Sequence, residues 1–171
     1  MDSVIGNLLQ QFLHAGSGPV PAAAQDQFHQ VAESTPPDLL SHGLADAFNS
    51  PQTPAFGEMV GHMFGQANPD QKTGIVNRLL ASAGPAAMAL LSQAGLTGLG
   101  PAGAGSPNLS TEQVAQLSSE QVAQIATQAK SANPGIVESM SSFYAQHPML
   151  VKSLGAAALA IILGKIGNRS A

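Results

Sequence analysis

Asp38, His42 and Asp46 stand four residues apart, and Glu58 and His62 repeat that spacing further along the chain. Four-residue steps put side chains on one face of a helix, and imidazole plus carboxylate from facing helices is a donor set by which bundles hold a transition metal. These five residues are the candidate metal or acid–base site. The competing reading is a solvated face, because Leu40, Leu44 and Phe48 form an apolar side of the same segment and the three polar residues lie opposite it. His14 and His147 have no partner at ligand spacing. The chain contains no HExxH, GxSxG or GxxxxGK[ST] and no GxGxxG following a strand, so it offers no recognisable zinc-hydrolase helix, nucleophile elbow or phosphate cradle. The expectation is a protein that is not an enzyme and takes no cofactor.

Composition narrows the partners. Of 171 residues only 9% are charged, against about 25% in an ordinary soluble domain, and such a surface favours contact with a second copy, another protein or a membrane. The net charge of −4 is divided unevenly: residues 1–138 hold ten acids and three bases, whereas residues 139–171 hold Lys152, Lys165 and Arg169 with no acid. Six scattered bases cannot build a polyanion-binding face, which excludes nucleic acid. With no cysteine there is no disulfide framework and no thiolate metal site. The first residues, MDSVIGNLLQQFLHAGSG, lack the basic start of a signal peptide, and the expected location is cytoplasmic, with a membrane-peripheral alternative.

The elements that must position these residues are short helices. Thr35-Pro36, Thr53-Pro54, Asn68-Pro69, Gly84-Pro85, Asn133-Pro134 and His147-Pro148 punctuate the chain, and proline suits the first turn of a helix, where its missing N–H costs nothing. Apolar residues follow at helical spacing: Leu40, Leu44, Ala47 and Phe48; then Phe56, Met59, Val60, Met63 and Phe64; then Ile75, Val76, Leu79 and Leu80. Val4, Ile5, Leu8, Leu9, Phe12 and Leu13 give the N-terminal segment the same pattern. Ser110 with Gln113, and Ser118 with Gln121, have capping-box spacing. No stretch alternates with a period of two. The predicted fold is all-α, a multi-helix bundle in two subdomains, residues 1–94 and 109–171, joined by a Gly/Pro-rich hinge over 95–108.

The segment from Pro148 to Ile166 predicts one proline-started helix. Its uncharged run, Ser153 to Gly164, would rise about 18 Å as a helix against a hydrocarbon core of about 30 Å, too short to span it. Ser153, Ala156, Ala160, Gly164 and Gly167 form a ridge of small residues that suits close helix contact, while Leu154, Leu159, Ile161, Ile162 and Leu163 supply apolar bulk. Three destinations are open: burial within its own domain, burial against other copies, or a membrane surface with Lys152, Lys165 and Arg169 near lipid headgroups. The favoured function is a self-associating structural or scaffold protein whose copies pack through this helix. A peripheral membrane protein is the alternative, and a metal-dependent enzyme or metal carrier the third reading.

Two segments, TPAFGEMVGHMFGQANPDQKTGIVNRLL (53–80) and FYAQHPMLVKSLGAAALAIILGKI (143–166), resemble the small, helical, Gly- and Gln-rich bacterial proteins grouped with YidB-like domains of unknown function. The resemblance covers less than half of the chain and brings no catalytic motif with it. It implies a bacterial cytosolic protein without assigned chemistry.

Overall fold

Asn68 shows how this sequence starts a helix. Its side chain accepts the Gln71 amide at 2.8 Å while the Gln71 side chain accepts the Asn68 amide at 3.1 Å, and Pro69 takes the first helical position. Ser110 with Gln113 and Ser118 with Gln121 close the same reciprocal pair. The prolines act less uniformly than their spacing predicts. Pro69, Pro85 and Pro148 are first residues of helices, but Pro54 and Pro134 stand two residues ahead of one. Thr53 does not cap the next helix; its hydroxyl donates back to the Ala47 and Ser50 carbonyls and closes the preceding one.

The structure, a computed structural model, describes residues 2–15, 20–93, 95 and 108–170. It is an all-α multi-helix bundle with eleven helices and no strand among the described residues. They are α1 (Asp2–Ala15), α2 (Ala22–Ser34), α3 (Pro37–Asn49), α4 (Phe56–Gln66), α5 (Pro69–Ala83), α6 (Pro85–Gln93), α7 (Thr111–Val114), α8 (Ser119–Ala132), α9 (Ile136–Ala145), α10 (Pro148–Val151) and α11 (Ala156–Ser170).

Two compact units result, and their limits differ from the expected ones. Unit 1 joins Met1–Ala55 to Ser141–Ala171, and unit 2 is Phe56–Met140. The boundary does not follow the 95–108 segment, nearly all of which lies outside the described residues, because α7 and α8 pack on α5 and α4 and so tie both sides of that segment into one unit. The terminal segment returns to the N-terminal helices instead. In unit 1, α11 packs against both α1 and α3, and α2 touches α1 and α10. Ile5, Leu8, Phe12, Leu40, Leu44, Phe48, Leu159, Ile162 and Leu163 are buried there. Unit 2 centres on α8, against which α4, α5 and α6 pack, and it buries Met59, Met63, Ile75, Leu79, Val122 and Ile125. The uneven charge along the chain disappears in this arrangement, since each unit carries five acids and three bases.

The predicted helix Pro148–Ile166 is two helices. After α10 the chain makes i to i+3 bonds, Ser153 and Leu154 donating to the Leu150 and Val151 carbonyls, and the Ser153 hydroxyl takes the Leu150 carbonyl at 2.6 Å. A serine hydroxyl that captures a helical carbonyl offers the backbone an alternative to the helix. The exposed Gly155 then precedes α11.

Candidate docking surface

The titratable residues do not converge. His42 and Asp46 are exposed on the outer side of α3 with Asp38 in its first turn, and Glu58 and His62 are exposed on α4. Among the described residues no group of three or more His, Asp or Glu is placed to hold a metal ion. Spacing on one helix face brought the candidates into line but not together. Asp46 instead pairs with Lys165 of α11 at 2.6 Å, so an expected metal ligand and an expected lipid contact are each other's partners. Lys152 is half-buried in the turn after α10, and the Arg169 side chain lies outside the described residues.

Most of the residues expected to join copies face the chain's own core. Leu154, Ala156, Leu159, Ala160, Ile162 and Leu163 are buried, leaving Ser153, Ile161 and Gly164 half-buried. The close helix contact in unit 1 comes from the partner helices: a Cβ on Gly43 of α3 would stand 3.2 Å from the Ile162 Cα, whereas one on Gly164 would meet nothing within 4 Å. Along the small-residue ridge of α11 the contacts differ, since a Cβ on Gly167 would stand 3.3 Å from the Ile5 side chain of α1 while Gly164 faces open space. The first of the three destinations, its own domain, takes the bulk of the helix.

Tyr144 is buried against Phe48 and Phe143, with ring centroids at 6.1 and 5.5 Å. A buried hydroxyl ordinarily finds a hydrogen bond, yet that of Tyr144 has no partner among the described residues. Burial alone pushes its ionisation well above the ordinary tyrosine range.

What the surface of unit 1 does offer is apolar. Val4, Leu13 and Met149 are the large hydrophobic residues exposed among the described residues, and two of them belong to α1. The reason is the width of that helix's apolar stripe. At about 100° per residue, Val4, Ile5, Leu8, Leu9, Phe12 and Leu13 cover an arc of about 180°, more than one core contact needs. Ile5, Leu8 and Phe12 occupy the middle and are buried, Val4 stands at one edge and Leu13 at the other. Beside the Leu13 edge a groove of about 360 Å³ runs between α1 and α11, lined by Leu9, Phe12, Leu13, Ala157, Ala160 and Ile161 together with Gln52. No charged residue lines it. Sequence reasoning passed over Leu9, Leu13 and Ala157 as site residues, and the signal that would have found them is the stripe's excess width. No family model, curated protein or solved structure matches the chain.

Proposed function

We propose that the chain is a non-enzymatic, self-associating structural protein whose copies meet through an uncharged helical face of unit 1. The observation that carries this reading is Leu13, 65% exposed at the rim of the α1–α11 groove. A knob beside a hole is self-complementary under a two-fold axis: Leu13 of one copy enters the groove of the second, which returns its own Leu13. Ile161 and Ala160, two of the residues expected to join copies, keep that role from the groove, while Leu9, Leu13 and Ala157 replace the buried ones. Covering one Leu13 contributes about 1.5 to 2 kcal/mol. Two of them supply about 3 to 4 kcal/mol, no more than the roughly 4 kcal/mol or more that association costs, so assembly draws on Leu9 and Ile161 as well.

The lipid-surface alternative has less support, because α11 turns Leu159, Ile162 and Leu163 inward and Lys165 is engaged by Asp46. Among the described residues no helix is long and apolar enough to cross a membrane. A bacterial, cytoplasmic protein remains part of the proposal on the likeness of segments 53–80 and 143–166 to YidB-like domains. Light scattering on size-separated protein over a wide concentration range tests the reading. Mass should rise with concentration in the parent and stay that of a monomer in Leu13→Glu at unchanged helical content. A parent that remains monomeric throughout overturns it.

A further inference from the structure

We propose that unit 1 also binds an uncharged amphiphile, a molecule with an aliphatic chain and a neutral hydrogen-bonding head, in a cleft at the opposite edge of the α1 stripe. The cleft encloses about 470 Å³, inside the range of about 300 to 1,000 Å³ typical of small-molecule pockets. Val4 and Ile5 of α1, Val31 of α2, Leu39 of α3 and Ile166 of α11 make its apolar wall. Val4 is 52% exposed, and Val31 and Leu39 are half-buried. Val4, Val31 and Leu39 of α1, α2 and α3 thus leave apolar surface open over the buried Ile5 and Ile166, in a concavity rather than on a convex face, which is where a chain of methylenes gains most from leaving water.

The polar edge comes from α2 and its end: Gln27, Gln30, Ser34 and Thr35 line the cleft beside that wall. The Ser34 hydroxyl donates to the Gln30 and Val31 carbonyls, and the Thr35 hydroxyl donates to Val31 at 2.6 Å, so both present acceptor lone pairs. The Gln27 and Gln30 amides have no hydrogen-bond partner among the described residues and supply donors as well as acceptors. One wall without polar atoms and one edge without charge match an aliphatic chain and a hydroxyl, ester or amide head.

Charge selects within that class. No ionisable side chain lines the cleft. The ionisable neighbours of its lining residues on α2 and α3 are the exposed Asp26, Glu33 and Asp38 together with His29, whose ring lies 3.6 Å from the Glu33 carboxylate. Lys165, next to Ile166, is held by Asp46. A carboxylate head would lose hydration without meeting a cation, and an ammonium head would enter a cleft with no carboxylate inside, so each loses to a neutral head.

Titration of the isotope-labelled full chain, followed by amide NMR, tests this with decanol, decanoate and decylamine below their aggregation limits. Decanol should give saturable shifts at Val4, Val31, Ser34, Leu39 and Ile166, with decanoate and decylamine at least tenfold weaker. Leu39→Trp should fill the cleft and abolish the response. Val4→Lys, a change at an exposed helix position, should reverse the preference so that decanoate binds tighter than decanol, a result that misfolding cannot imitate. Leu13→Glu should bind decanol as the parent does, which separates this site from the self-association groove. Absence of saturable shifts, equal affinity for decanol and decanoate in the parent, or shifts centred on Leu13 and Ile161 each overturn the proposal.

Discussion

Replacing the glycines of α4 one at a time by alanine tests how closely two helices of unit 2 approach. Gly57, Gly61 and Gly65 recur every four residues on α4, and Ser119, Ala123 and Thr127 answer them at the same spacing on α8. Without Cβ atoms the two backbones can come together as small-residue helix pairs do. A Cβ on Gly57 would fall against the Thr127 hydroxyl and the Ala123 carbonyl oxygen. One on Gly61 would stand 2.6 Å from the Ser119 carbonyl oxygen and 3.0 Å from the Ala123 Cβ, while one on Gly65 would meet only the Ser119 hydroxyl at 3.2 Å. Two opposed effects set the outcome. Alanine in place of glycine gains about 0.8 to 1 kcal/mol of helix propensity, and overpacking costs about 1 to 3 kcal/mol.

At Gly57 and Gly61 the obstacle includes backbone carbonyls of α8, which move only if the helix moves, so overpacking wins and each variant loses about 1 to 2 kcal/mol net. At Gly65 the hydroxyl can rotate away and the two effects roughly cancel. At the exposed Gly6 of α1, where a Cβ would meet nothing within 4 Å, propensity acts alone and stability rises by about 0.5 to 1 kcal/mol. Urea unfolding followed by circular dichroism should rank the variants Gly6→Ala, Gly65→Ala, then Gly61→Ala and Gly57→Ala, from most to least stable. If Gly57→Ala and Gly61→Ala gain as much as Gly6→Ala, the close approach of α4 and α8 is refuted.

Tyr144→Phe should stabilise unit 1 by about 1 kcal/mol, because it removes a buried hydroxyl with no partner among the described residues; thermal unfolding measures this, and a loss of stability would mean the hydroxyl is bonded. The same burial makes a pH signature: with its folded ionisation raised, the folded state keeps a proton that the unfolded state releases, so stability falls above about pH 10, and Tyr144→Phe should flatten that fall. Since this is the one tyrosine in a chain without tryptophan, tyrosinate absorbance in the parent should appear only together with unfolding. Asn77 serves both backbone groups of the buried Leu109, accepting its N–H at 2.8 Å and donating to its carbonyl at 3.3 Å; Asn77→Ala should cost about 1 to 3 kcal/mol and speed hydrogen exchange at Leu109, and unchanged exchange there would count against the clamp.

The helical class and most core faces were legible because they rest on local physics. The four-residue recurrence of Leu40, Leu44 and Phe48, or of Met59 and Met63, states which side is buried whatever lies opposite. The capping boxes at Ser110 and Ser118 are equally local. What lay opposite was not legible. Nothing in residues 141–171 announces that they complete the N-terminal unit, and reading their basic charge as a separate property followed from treating chain order as spatial order. The break at Ser153 to Gly155 is a local event, a short run of i to i+3 bonds with the Ser153 hydroxyl on the Leu150 carbonyl, which apolar periodicity does not register. The glycine ladder of α4 was in plain view. Four-residue glycine spacing signals close helix approach at any hydropathy, on α4 as much as on α11.

The α1 stripe explains why unit 1 has surfaces of interest at all. A helix with an apolar arc of about 180° can turn only part of it toward a single core, and α11, packed over the middle through Ile5 and across Gly167, whose Cβ would stand 3.3 Å from the Ile5 side chain, leaves both edges over. The two edges differ in what surrounds them. At Leu13 the flanking helix contributes Ala157, Ala160 and Ile161, small or aliphatic residues that give a groove for another side chain and little to hydrogen-bond with. At Val4 the flanking helix is α2, whose Gln27, Gln30 and Ser34 recur at three- and four-residue steps and place polar groups along one wall. An apolar groove with a projecting leucine suits a copy of itself, and an apolar cleft with a neutral polar edge suits a small amphiphile. One sequence feature, an apolar stripe wider than its core, thereby supports both proposals while leaving each open to refutation without the other.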